Sequence, residues 1–87
     1  MAKYRIVFRR SVAKDLRKID GVDVKRILTR INELADNPRG DGCTKLSAQE
    51  RYRVRVGHYR IIYEIQELRL VVQVVKVGHR SNVYKNV

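Results

Sequence analysis

Tyr4, Ile6 and Phe8 alternate with Arg5, Val7 and Arg9 at the start of the chain, the period-two pattern of a strand that buries one face. From Ser11 the period lengthens. Val12, Leu16 and Ile19 fall at helical spacing, with Lys14, Arg17 and Lys18 on the outside and Ser11 as the candidate N-cap. This first helix is predicted to stop near Asp20 and Gly21. Val24, Ile27, Leu28, Ile31, Leu34 and Ala35 then form a second apolar stripe, with Asp23 as a candidate cap and a stop at Asn37 and Pro38. The two segments read as a helical hairpin.

Arg39 to Thr44, with Gly40 and Gly42, is an irregular connection. It lacks the Gly-x4-Gly-Lys-Ser/Thr spacing of a phosphate-cradling loop, and the segment after it is β-like rather than helical. Tyr52, Val54 and Val56 alternate with Arg51, Arg53 and Arg55, Gly57 and His58 suit a two-residue hairpin turn with glycine first, and Tyr59 to Ile65 returns as a strand. Leu70 to Val77, rich in β-branched residues, is expected to be the last and most buried strand, joined through Glu67 and Leu68. Gly78 is expected to break it. The predicted class is α+β: an N-terminal strand and a two-helix hairpin packed on one face of a small, mostly antiparallel sheet of about four strands, in the order βααβββ.

Counting outward from the Gly57-His58 turn pairs Val56 with Tyr59, Arg55 with Arg60, Val54 with Ile61, Arg53 with Ile62 and Tyr52 with Tyr63. That register puts Tyr52, Val54, Val56, Tyr59, Ile61, Tyr63 and Ile65 on one face, suited to burial against the helices. Arg51, Arg53, Arg55 and Arg60 take the other. Arg55 opposite Arg60 is a like-charge pair that costs a few tenths of a kcal/mol up to ~1 kcal/mol. A surface that accepts this penalty suits an anion, because guanidinium forks bond phosphate bidentately; a charged, solvated sheet face is the alternative. Glu64 falls opposite Arg51 and can pair with it, which makes Arg51 structural.

Charge strengthens the anion reading. The 87 residues carry 20 Lys and Arg against 9 Asp and Glu, a net charge of +11. Nucleic acid is the leading partner class, since neutralising phosphates releases condensed counterions; an acidic protein stays open. With 44% hydrophobic and 33% charged residues, the chain reads as one soluble domain spanning residues 1–87, without a bilayer-spanning run or the anchors of an interfacial helix. Cys43 is the sole cysteine, which excludes an internal disulfide and a Cys-based zinc site. The alternating N-terminus does not read as a signal peptide, so a cytoplasmic location is expected.

A further basic and aromatic cluster lies in Val77 to Tyr84, where Arg80 and Tyr84 could fold back beside the arginine face, Tyr84 offering a ring for base stacking or a phenolic hydrogen bond. Taken together, Leu46, Tyr52 to Glu64 with its three arginines after Arg51, and Val74 to Tyr84 resemble the RelE/ParE toxin superfamily of bacterial and archaeal toxin–antitoxin systems, and within it the RelE-type ribosome-dependent mRNA endonucleases. The resemblance covers nearly the whole chain, Tyr4 to Tyr84, including the helical stripe ending at Asn37 and Pro38.

The resemblance implies a toxin that cleaves the A-site codon on the ribosome. The ribose 2′-hydroxyl attacks the adjacent phosphate, leaving a 2′,3′-cyclic phosphate and a 5′-hydroxyl, with no metal and no cofactor. Carried over by position, it implies catalytic roles for Arg53 and Arg55 on the strand before the hairpin, Arg60 just after it, Arg80 and Tyr84. The best-known members carry lysine at the positions of Arg53 and Arg55; arginine stays protonated, so a lysine-base mechanism does not transfer. Arg60 and Arg80 are expected to stabilise the transition-state charge, with Tyr84 as base or stacking ring. His58 and His79 are minor candidates. The implied partners are a cognate antitoxin, the ribosome and mRNA, with DNA contacted only through the antitoxin and no membrane. Two rival readings are a ParE-like inhibitor of DNA gyrase and a non-catalytic nucleic-acid-binding module.

Overall fold

The computed structural model describes residues 3–46 and 51–79. Strand β1 (Arg5–Phe8) leads into helices α1 (Arg10–Arg17) and α2 (Gly21–Leu34). Strands β2 (Thr44–Lys45), β3 (Arg51–Val56), β4 (Tyr59–Gln66) and β5 (Val71–His79) follow, with a 3-10 turn at Glu67–Arg69 before β5. The sheet order is β1-β5-β4-β3-β2. All pairings are antiparallel except β1 with β5, which is parallel.

The expected α+β class and element order hold, with one strand more than the expected four. The addition is β2, where Thr44 pairs with Arg53 and Lys45 with Tyr52; two residues are too few to show a period. The helix starts also differ. Arg9 and Asp20 occupy the N-cap positions and neither helix has a side-chain cap hydrogen bond. Ser11 therefore lies inside the first turn of α1. Asp23 lies inside that of α2, where its carboxylate faces the positive end of the helix dipole.

Both helices cover one face of the sheet. Val12 of α1 and Ile27, Ile31 and Leu34 of α2 pack with Val54, Ile61, Tyr63, Val72, Val74 and Val77, and Tyr52, Val56, Tyr59 and Ile65 close in around them. The face expected to be buried is the buried one. Burying each such side chain contributes about 1.5–3 kcal/mol, so this layer dominates the stability of a small fold. Two expected core members miss it. Phe8, at the end of β1 where the chain turns into α1, is 45% exposed, and Leu28, at the margin of the α2 stripe, is 37% exposed.

Polar side chains tie the connections to this layer. The fully buried Tyr63 ring stacks on Tyr52, and its hydroxyl donates to the Pro38 carbonyl at 2.6 Å. Burial pushes the Tyr63 phenol far above its ordinary range, with the Cys43 side chain acting in the same direction, so the group stays a donor. Arg30 holds the Arg39 to Thr44 connection from α2, donating to the Asp41 carbonyl at 2.9 Å and to Glu33 at 3.0 Å. Arg39 pairs with Glu67, its Nε donates to the Tyr52 hydroxyl at 3.3 Å, and the Tyr4 hydroxyl donates to Glu67 at 3.0 Å. Asp15 of α1 accepts the Val77 amide at 3.2 Å and meets Lys76 at 3.1 Å. The carboxylate thereby serves β5 beyond Val74, where β1 pairing has ended.

Candidate nucleic-acid interface

Gly57 carries φ of +57°, in the left-handed region that favours glycine, and the hairpin turns at Gly57 and His58. That turn sets the register of everything beyond it. Arg55 stands opposite Arg60, Arg53 opposite Ile62 and Arg51 opposite Glu64, as the sequence predicts. Because side chains alternate across a strand, Arg51, Arg53, Arg55 and Arg60 project from the sheet face away from the helices. Arg51 is neutralised there: its Nε donates to Glu64 at 2.9 Å, with both side chains about one-quarter exposed. Arg53 and Arg60 are half-buried and Arg55 is exposed.

The third strand of this face departs from expectation. Gly78 does not end β5; it pairs with Arg60 inside a strand that runs to His79. The row across the sheet is thus Arg55, Arg60, Gly78, so Arg60 has no β5 side chain directly opposite it. A register shift between Ile62 and Tyr63 interrupts the β4–β5 ladder. Ile62 and Val75 are buried together, with Leu46 against them, as a small apolar cluster separate from the main core. The arginine face is therefore basic at the hairpin end and apolar beside Arg53.

His58 and His79 stack with ring centroids 6.2 Å apart, and Tyr59 meets His79 edge-on at 5.9 Å. His79 pairs with Tyr59, in the alternation opposite to Arg60. The imidazoles thus gather at the hairpin tip rather than on the arginine face. Arg80 and Tyr84 lie outside the described residues. No group of three or more His, Cys, Asp or Glu able to hold a metal exists among the described residues, and none of their helices is long and apolar enough to cross a membrane.

Chemically, fixed guanidinium groups on a partly desolvated sheet surface bind an oxyanion and stabilise charge that develops on it, without taking or giving a proton.

A family model described as the ParE toxin of the type II toxin–antitoxin system parDE matches residues 6–84. A putative RelE-like toxin protein of Escherichia coli is 26% identical over 86 residues, covering 94% of this chain and 90% of the relative. Among solved structures, the archaeal RelE–RelB complex of Pyrococcus horikoshii has a chain that is 25% identical, with a TM-score of 0.80 and coverage of 93% and 99%. The toxin–antitoxin complex RelBE2 of Mycobacterium tuberculosis shares the fold at 22% identity and a TM-score of 0.82, with coverage of 94% and 97%.

Proposed function

The chain belongs to the ParE toxin family of type II toxin–antitoxin systems, and from that premise we propose that it acts as a single RelE-like domain, a cytoplasmic ribosome-dependent endoribonuclease that cuts mRNA in the A site. The observation that carries this reading is the arginine row at the hairpin end, where Arg55 and Arg60 face each other with Arg53 on the same surface. Opposed guanidinium groups suit a bidentate oxyanion, and a phosphodiester presents two non-bridging oxygens in that geometry. The RelE-like relative and the RelE–RelB fold neighbour point the same way.

In the proposed reaction the 2′-hydroxyl oxygen bonds to the adjacent phosphorus and the bond to the 5′-oxygen breaks. A 2′,3′-cyclic phosphate and a 5′-hydroxyl result, without a metal. The nucleophile loses a proton and the leaving oxygen gains one. Arginines do neither; their part is to hold the non-bridging oxygens as negative charge builds. We assign this part to Arg60 and Arg80, with Arg53 and Arg55 orienting the strand and Tyr84 as base or stacking ring. The ribosome then supplies substrate alignment, and a cognate antitoxin of complementary acidic or amphipathic character holds the toxin inactive.

Primer extension on a translated message tests the reading. Breaks within codons are expected when ribosomes are present and none when they are absent. The family model's ParE description favours a second reading, inhibition of DNA gyrase. Intact mRNA together with inhibited gyrase would replace the nuclease proposal with that one.

A further inference from the structure

A second basic feature adjoins the arginine face and shares only Arg55 with the residues assigned to cleavage. It is an open groove of about 470 Å³ between α2 and the end of β3, with Lys25, Arg26, Arg30 and Glu33 on the helix side and Arg55 and Gly57 on the strand side. The helical residues recur at i, i+1, i+5 and i+8, a stripe on the outer side of α2. Glu33 is neutralised by Arg30 at 3.0 Å, and Arg26 meets Asp23 only at 3.9 Å. The groove is therefore strongly positive.

The sheet edge adds to it. β2 stops opposite Arg53, so β3 has no β2 neighbour at Arg55 to Gly57. The Leu46 amide donates to the Arg51 carbonyl at 2.8 Å, so Arg51 turns its backbone groups toward β2. By strand alternation Arg55 does the same, and there its amide points into the groove. One residue thus joins the two features. Arg55 belongs to the Arg55–Arg60 row on the open face and also lines the groove.

We propose that this groove carries the phosphate backbone of the single-stranded RNA next to the scissile bond, at least two phosphates of it, led around the sheet edge by Arg55 to Lys25 and Arg26. The proposal rests on the nuclease reading and extends it to the path of the substrate. The groove's chemistry selects its occupant. A docked peptide helix needs apolar anchor pockets, and among the described residues Val56 is the one apolar side chain in the lining. A chain of phosphates needs spaced cations and amide donors, which the groove has.

The test is the salt dependence of binding to a 2′-O-methylated RNA strand, which has no attacking hydroxyl, read by fluorescence anisotropy without ribosomes. Lys25→Ala/Arg26→Ala removes two groove charges. Arg10→Ala/Lys14→Ala removes two from exposed positions of α1 as the control. Single-strand binding loses a slope of about 0.7 in log K against log salt per phosphate contact. The groove variant is expected to flatten the slope by about 1.4 and weaken binding about tenfold or more near 0.1 M salt, and the control by less than half of that. Thermal unfolding of both variants should stay in the wild-type range.

Equal losses in the two variants, or none in the groove variant, would overturn the proposal. So would an unchanged slope accompanied by weaker ribosome binding, which would assign the groove to ribosomal RNA, or by weaker antitoxin binding, which would assign it to an acidic protein segment. Wild-type protein that leaves translated mRNA intact while the groove variant still loses slope would sink the nuclease reading and keep the groove.

Discussion

The two faces of the β3–β4 hairpin are built from alternate residues of the same strands, yet they obey opposite rules. On the helix side, Tyr52 stacks on Tyr63, Val54 meets Ile61 and Val56 meets Tyr59, and all six join the main core. On the open side, Arg55 faces Arg60 where an apolar or oppositely charged pair would be more stable. Local stability accounts for the first face, and on the second for the Arg51–Glu64 pair and the Ile62–Val75 cluster, but not for Arg55 opposite Arg60. Stability and function can therefore be perturbed separately in a single hairpin, one face at a time.

The largest stability effect is expected on the covered side. Tyr63→Phe removes the hydroxyl that satisfies the buried Pro38 carbonyl, which should cost about 1–3 kcal/mol in chemical denaturation. Cleavage by the remaining folded protein should persist. A larger loss of cleavage than of stability would break the separation of the faces.

On the open side the sign reverses. Arg55→Thr removes one member of the like-charge pair and adds a β-branched residue, so stability should rise by a few tenths of a kcal/mol up to ~1 kcal/mol while RNA binding weakens. A destabilised Arg55→Thr protein would mean that this face is structural after all.

The smallest effect lies away from both faces. The Glu67 carboxyl is held below its ordinary value of 4.5 by hydrogen bonds from Arg39 first and Tyr4 second. A group whose folded value is lowered stabilises the fold above its unfolded value, and loses that contribution as pH falls through the folded one. The advantage of wild type over Glu67→Gln in thermal midpoint should be small near neutrality and should vanish once the pH has fallen through the lowered folded-state value. A gap that widens in acid would contradict the ion pair.

Much of this was legible in the sequence because one glycine fixed the count. With Gly57 as the first turn residue, the pairing of every β3 and β4 residue follows, including the Arg51–Glu64 ion pair. Helical periods were equally plain in Val12 and in Ile27, Ile31 and Leu34. Features that depend on distant neighbours were not. β2 exists only because Thr44 and Lys45 meet β3. Gly78 continues β5 because β4 pairs with it, against its own low strand preference. Ile62 and Val75 are buried on a face that alternation marked as polar, where the register shift brings them together. The α2 groove joins residues some thirty positions apart, and only the chain charge of +11 hinted at it. The parts of the site at Arg80 and Tyr84 rest on the family pattern.

The most direct test of the central claim compares single-turnover cleavage of a programmed ribosome with the unfolding midpoint for wild type and Arg60→Ala. Loss of one fixed charge-stabilising donor should slow cleavage about 10²–10³-fold, with the midpoint unchanged or slightly higher. Cleavage at the wild-type rate, or a slow variant that is slow only because it unfolds, would contradict the assignment of this face to chemistry.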